Sequence, residues 1–222
     1  MLTKLPLNRF LQSRAEVNQC EDDIIRAGLK VHGLQCKCFD LRYIIPYLKD
    51  GDFCDLGACG SFILHNHVIL GLKGRRVGID LSPVAEHDRT SGVEYFEGSL
   101  MNTPFEDNSF SQITCLSVIE HEVFYDKFAK EVSRLLKSGG DCFVSFDYCE
   151  PKVDTSKTKL FSLDWNVLSK ADVLNFVEEM KKVGLNLTSE IDWTINELVI
   201  NPSYCSPADC SYTFGLLHFT KN

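Results

Sequence analysis

The chain has 222 residues, 44% hydrophobic and 24% charged, which is the composition of a globular protein long enough to bury a core without disulfide or metal staples. Its 31 acidic and 23 basic side chains leave a net charge of -8, which argues against broad binding of nucleic-acid backbone. The one short basic run, KGRR at 73–76, reads equally well as a solvated loop before a strand.

Residues 1–50 read as an N-terminal helical cap ahead of a domain spanning 51–222. Within the cap, Val17, Ile24 and Ala27, with Ile25 or Leu29, recur at helical spacing over 16–30. Gly33 ends that pattern, and 41–48 is a second short helix interrupted by Pro46. From Gly51 strands and helices alternate. Strands fall at 53–56, 76–80, 94–98, 112–117 and 141–146. A helix over 62–72 follows the first strand. A second, over 125–137, sets Phe128, Val132, Leu135 and Leu136 on one face and stops at SGG, 138–140. A third, over 170–183, turns Val173, Phe176, Val177 and Met180 inward and ends at Gly184. Strands at 186–191 and 212–220 close the chain, with a long excursion over 193–211 between them. This order predicts an α/β, Rossmann-like doubly wound sheet, mostly parallel with an antiparallel C-terminal strand and helices on both faces.

The segment GDFCDLGACGS at 51–61 is a short buried strand, a glycine turn and the start of a helix, and the next strand, VGIDL at 77–81, ends in an acid. Such a unit holds an adenosine in α/β folds. Gly57 and Gly60 permit a sharp turn and close backbone approach. The helix start offers unpaired N–H groups, and Asp80 can accept hydrogen bonds from ribose hydroxyls.

At these residues the chain resembles the class I S-adenosylmethionine-dependent methyltransferases, in particular their type 11 members. The family's first motif reads acid-x-Gly-x-Gly-x-Gly. Asp55 and Gly57 match it, Cys59 and Ser61 stand at the other two glycines, and Gly60 is one place out of step. GSLMNTPFEDNSF at 98–110 looks like the stretch after the third strand, with Ser99 where the family carries an acid. ITCLSVIEH at 113–121 resembles the fourth motif, SGGDCFV at 138–144 the segment after it, and YTFGLLHF at 212–219 the closing strand. Together these cover 51–220. The resemblance implies S-adenosylmethionine as cofactor, contacted by Asp55, Gly57, Ala58, Gly60, Asp80, Leu81, Ser99, Leu100 and Ser117. It also implies an acceptor site covered by the N-terminal helices and the 193–211 excursion.

Glu120 and His121 follow the fourth predicted strand at the carboxyl edge of the sheet. His121 is a general-base candidate; its other reading is a lid or capping residue. Asp147 either faces the acceptor or lies in a polar loop. Trp165 and Trp193 suit a small or medium organic acceptor, sugar- or lipid-like metabolites included, methylated at oxygen or nitrogen. Two other readings stay open. A nicotinamide-dependent oxidoreductase would need Gly-x-Gly-x-x-Gly, of which only Gly57 and Gly60 are present. A regulatory module would keep the fold without the activity. No metal site is expected. His65 and His67, at i and i+2, do not share a helix face. Cys36/Cys38 and Cys205/Cys210 lack zinc spacing, although together they make four thiols. Ten scattered cysteines, no apolar leader at residues 1–9 and an interrupted apolar run at 62–72 point to a reducing, cytoplasmic setting without a membrane span.

Overall fold

The computed structural model describes residues 2–222. An eight-stranded mixed sheet forms its centre. The strands are β1 (Arg9–Phe10), β2 (Phe53–Leu56), β3 (Arg76–Asp80), β4 (Glu94–Glu97), β5 (Phe110–Leu116), β6 (Leu136–Tyr148), β9 (Leu185–Leu187) and β10 (Thr213–Lys221), with β7 (Lys159–Leu160) and β8 (Leu163–Asp164) as a separate hairpin. The sheet order is β1-β10-β6-β5-β2-β3-β4, and β9 also pairs with β10. Strands β2 to β6 run parallel, and β10 is antiparallel to β6, β1 and β9.

Alternation along each strand sends successive side chains to opposite faces. Cys54, Leu56, Ile113, Cys115, Val144 and Phe146 pack under α4 (Tyr125–Leu135) and α5 (Lys170–Lys182). Phe53, Phe143, Phe214 and Leu216 pack on the other face with α1 (Arg14–Arg26), α2 (Cys38–Ile44) and α3 (Phe62–Ile69). Ser13 caps α1, and a Ser169–Asp172 capping box starts α5. Every residue of α2 is buried. Its Arg42 meets Asp23 of α1 at 2.7 Å, and Tyr43 donates to Glu16 at 2.6 Å. These contacts fix the two cap helices to each other.

The predicted strands at 53–56 and 76–80 are observed with those bounds. Four differences have local causes. The first helix stops at Arg26, not Lys30, because Gly28 turns the chain at a φ of 72°. SGG at 138–140 does not separate helix from strand. Leu136 already pairs with Phe110, and the glycines sit where the β5–β6 register shifts. The strand predicted at 186–191 is three residues long, because β1 covers the remaining length of that edge of β10. Two-residue strands such as β1 carry no legible alternation, and pairing alone creates them.

Phe176 of α5 is fully buried, with ring centroids 5.2 Å from Tyr125 and 5.9 Å from both Phe128 and Phe219. Phe176→Ala is expected to cost about 3–5 kcal/mol in urea unfolding followed by circular dichroism.

Candidate active site

β2 lies between β3 and β5, so the connections at its carboxyl end depart in opposite directions and leave a crevice, the usual ligand position of open α/β sheets. The turn after β2 is drawn over this crevice. The N–H groups of Gly57 and Ala58 both donate to the carbonyl of Ile79, at 2.8 and 3.1 Å. Gly57 has a φ of 88°, and a Cβ there would lie 2.4 Å from Val118 Cγ2 in the loop after β5. Only glycine permits this approach. Gly60, at a φ of 66°, faces open space.

The Asp80 carboxylate, at the end of β3, accepts the Cys59 N–H at 3.0 Å and the Ser82 N–H at 3.2 Å. A carboxylate has about four acceptor positions, so two such bonds leave capacity for a ligand. Leu81 beside it is 54% exposed. Gly98 N–H donates to the Asp80 carbonyl, which brings Ser99 and the buried Leu100 alongside. Asp55 is buried and accepts from the Thr114 hydroxyl at 2.6 Å. Burial pushes its carboxyl up to about 6 against the opposing effect of the Ser61 and Thr114 hydroxyls.

A second group of polar side chains lies where β5 and β6 end. Ser117 has a φ of 55°, and its N–H donates to the carbonyl and hydroxyl of Ser145, at 3.0 and 3.1 Å. Lys37, from the turn before α2, donates to the Ser117 hydroxyl and lies 3.8 Å from Asp147 Oδ1. Asp147 accepts from Trp165 Nε1 at 2.8 Å. Asp40 of α2 lies against the Ser145 hydroxyl. Glu120 is 1% exposed, and neither of its carboxylate oxygens has a partner. Asp40 Oδ1, Asp147 Oδ1 and His121 Nδ1 are likewise buried and unpaired.

Burial raises all three carboxyls, Asp40 to about 6, and nearby Lys37 opposes the rise in each. Burial would lower the Lys37 ammonium, but Asp147, Asp40 and Glu120 hold it above its ordinary value. Burial lowers His121, with Asp147 opposing, which favours the uncharged ring. The strap at 163–168 roofs the group: Asn166 N–H donates to the Glu120 carbonyl and Leu168 N–H to the Asp147 carbonyl, both at 2.9 Å.

The structure thus brings Asp55, Gly57, Ala58, Gly60, Asp80, Leu81, Ser99 and Leu100 to one edge, and joins Ser117, His121 and Asp147 beside them. Sequence reasoning passed over Lys37 and Asp40. The available signal was charge inside CKCFDLRYII at 36–45, an apolar segment that otherwise reads as core. Trp165 lines the polar group. Trp193 does not: it stacks on Phe10 at 5.3 Å and borders an open cleft of about 430 Å³ with Tyr148 and Lys170 that contains none of the predicted site residues. The basic run is consumed locally, Arg75 by Glu94 and Arg76 by His67. All ten cysteines are free, and of the four weighed as a thiolate site only Cys36 and Cys205 touch. Among the described residues no three His, Cys, Asp or Glu side chains are grouped to hold a metal.

The sheet order, the glycine turn and the acid at the end of β3 define a Rossmann-like α/β protein with a nucleoside-type crevice. The methyltransferase domain family matches residues 54–144, the stretch that builds this crevice. The chain is 31% identical over 114 residues to a sterol 24-C-methyltransferase of Schizosaccharomyces pombe, an alignment covering 45% of this chain and 28% of the yeast protein. An S-adenosylmethionine-dependent methyltransferase from Mesorhizobium loti superposes with a TM-score of 0.59 at 14% identity, over 84% of this chain and 98% of that one. Geranyl diphosphate C-methyltransferase of Streptomyces coelicolor, solved with S-adenosylhomocysteine, gives 0.58 at 18% identity, over 94% and 80%. Residues 54–144, somewhat less than half of the chain, thus match the methyltransferase domain family, and the chain as a whole shares the fold of solved S-adenosylmethionine-dependent methyltransferases. No helix among the described residues is long and apolar enough to cross a membrane.

Asp55 supplies a pH test. Its folded-state value of about 6 exceeds the ordinary 3.8, so the folded protein holds the extra proton between those values. Its contribution to stability is present below about pH 4 and is lost as pH rises through 6. The stability of Asp55→Asn relative to wild type is expected to grow by on the order of 2 kcal/mol from pH 4 to pH 7. Urea unfolding at a series of pH values measures it.

Proposed function

We propose that this chain transfers a methyl group from S-adenosylmethionine to a small organic acceptor at oxygen or nitrogen. The observation that carries this reading is Asp80, which fastens the glycine turn through the Cys59 N–H yet keeps lone pairs free at the end of β3. The crevice fits the cofactor: a Cβ at Gly57 would close it, Gly60 opens onto empty space, and exposed Leu81 offers an apolar wall. When bound, S-adenosylmethionine supplies an electrophilic methyl on a sulfonium.

In this reading Asp80 accepts the ribose hydroxyls, and Gly57, Ala58 and Gly60 present backbone to the ligand. Ser99 and Leu100 border the adenine, and Asp55 holds the amino group. Ser117 separates donor from acceptor. His121, whose uncharged form burial favours, and Asp147 take a proton from the acceptor in this reading. The chain's main contribution is to orient the two reactants and exclude water. Residues 1–50, as a cap, and the 198–205 part of the excursion cover the acceptor; Val199, Ile200, Tyr204 and Cys205 pack with the cap helices. Ten free thiols, seven of them buried, support a reducing, cytoplasmic setting.

Calorimetric titration with S-adenosylhomocysteine tests the reading. Wild type is expected to bind at micromolar Kd, about -8 kcal/mol. Asp80→Ala should lose roughly 1.5–3 kcal/mol of that. Failure of folded wild type to bind either S-adenosylhomocysteine or S-adenosylmethionine refutes it. A pH series adds a second check, because a protonated Asp55 cannot pair with the ligand ammonium. Affinity should rise between pH 5 and pH 6 and level off above about 6, the value at which Asp55 releases its proton. Asp55→Asn should remove that dependence.

A further inference from the structure

The polar group at the ends of β5 and β6 has more acceptors than donors. Four buried carboxylate oxygens lack a partner: both of Glu120, Oδ1 of Asp147 and Oδ1 of Asp40. Buried acceptors are normally satisfied, and each exception calls for a reason. The resident cation does not satisfy them. Lys37 directs its ammonium to the Ser117 hydroxyl, and at 3.8 Å its distance to Asp147 exceeds hydrogen-bond length.

The three acids come from separate parts of the chain: α2, the loop after β5 and the end of β6. Their convergence is a tertiary arrangement, not a local run of sequence. An anion is excluded by charge. A divalent metal is disfavoured by Lys37 among the acids, and no metal-binding geometry occurs there among the described residues. A hydroxyl brings one donor. An ammonium brings up to three donors together with the compensating charge, which matches the vacant oxygens.

The group adjoins the methyl-donor crevice. Ser117 belongs to both, and the next residue, Val118, is the one that abuts Gly57. We propose that Glu120, Asp147 and Asp40 form the seat for the amino group of the methyl acceptor, so that the acceptor is a small aliphatic amine or amino sugar. This rests on the methyltransferase reading for the word acceptor, but not for the binding of an amine. Lys37 is half-buried and enters from the cap side. Held on Ser117, it is the resident cation that competes with an incoming ammonium for the charge of the same acids.

The test is calorimetric titration of the full chain, saturated with S-adenosylhomocysteine, with matched probes: putrescine against 1,4-butanediol, and glucosamine against glucose. At least one amine is expected to bind while its hydroxyl counterpart gives no heat. Glu120→Gln should weaken that amine at least tenfold with S-adenosylhomocysteine affinity retained, which also shows that the variant folds. Lys37→Met should tighten it several-fold, a change opposite in sign that general loss of structure would not produce. Equal responses to amine and hydroxyl probes, no response to either amine, or an unchanged amine affinity in both variants overturns the proposal. If S-adenosylhomocysteine itself fails to bind, the methyltransferase reading falls separately, and the same amine titrations on the free protein decide whether the seat exists.

Discussion

The contact between Gly57 and Val118 fixes the geometry on which the site depends. β2 is the central parallel strand, and its carboxyl end must pass between the loops that leave β3 and β5. The turn is held to β3 by two N–H bonds to the Ile79 carbonyl and pressed against the β5 loop at a separation that admits no Cβ. Asp80 completes the clamp by accepting the Cys59 N–H. Two strand ends and two loops are thereby set relative to each other before any ligand arrives, which is the condition for orienting reactants without further reorganisation. The buried strands behind the turn, with Cys54 and Leu56 on one face and Phe53 on the other, supply the rigid support.

Charge is distributed unevenly about this frame. The ion pair that holds α1 to α2, Arg42 with Asp23, has its charge balanced, and Arg26 also approaches Asp23. Asp40, two residues before the pair's α2 member, is not matched in that way; it joins Glu120 and Asp147 in a group whose acids exceed its cations. Buried charges of this kind are costly and add little stability. A cap selected for stability alone would carry an apolar residue at position 40, in a helix where all other contacts are buried. Perturbed titratable groups beside a crevice are the pattern of a functional site, and here burial leads the perturbation and the acids' mutual repulsion adds to it.

The sequence made the sheet legible wherever two signals coincided: apolar runs with turn residues at their ends, as at 53–56 and 76–80. It was less legible where pairing creates an element. β1, the shortened β9 and the β7–β8 hairpin exist because an edge or a loop needs a partner, and none has a periodicity of its own. The donor crevice was readable because its residues lie in short contiguous motifs. The acidic group was only half readable: Glu120, His121 and Asp147 lie at or just after strand ends, whereas Lys37 lies 80 positions before Ser117 and Asp40 80 before Glu120. Their meeting depends on how the cap folds over the sheet. Trp193 illustrates the converse, an aromatic that looked available for an acceptor and instead stacks on Phe10.

The drift of the first motif has a conformational explanation. Two positions in the turn require a positive φ, 57 and 60, and both are glycine. Position 59, where the family motif has glycine, does not; Cys59 directs its side chain outward and uses only its backbone N–H, on Asp80. Ser61, at the third motif position, has a φ of -67° and serves as the N-cap of α3 by accepting from Leu64. Glycine is thus kept where backbone geometry demands it and replaced where a side chain costs nothing or contributes a cap. The out-of-step Gly60 marks a turn whose bend is shifted by one residue, with the crevice beside it still open. A motif altered in this way gives no reason to read the fold as catalytically silent; that reading would require obstruction of the crevice, and the structure has a free approach at Gly60 and an acceptor-rich carboxylate at Asp80.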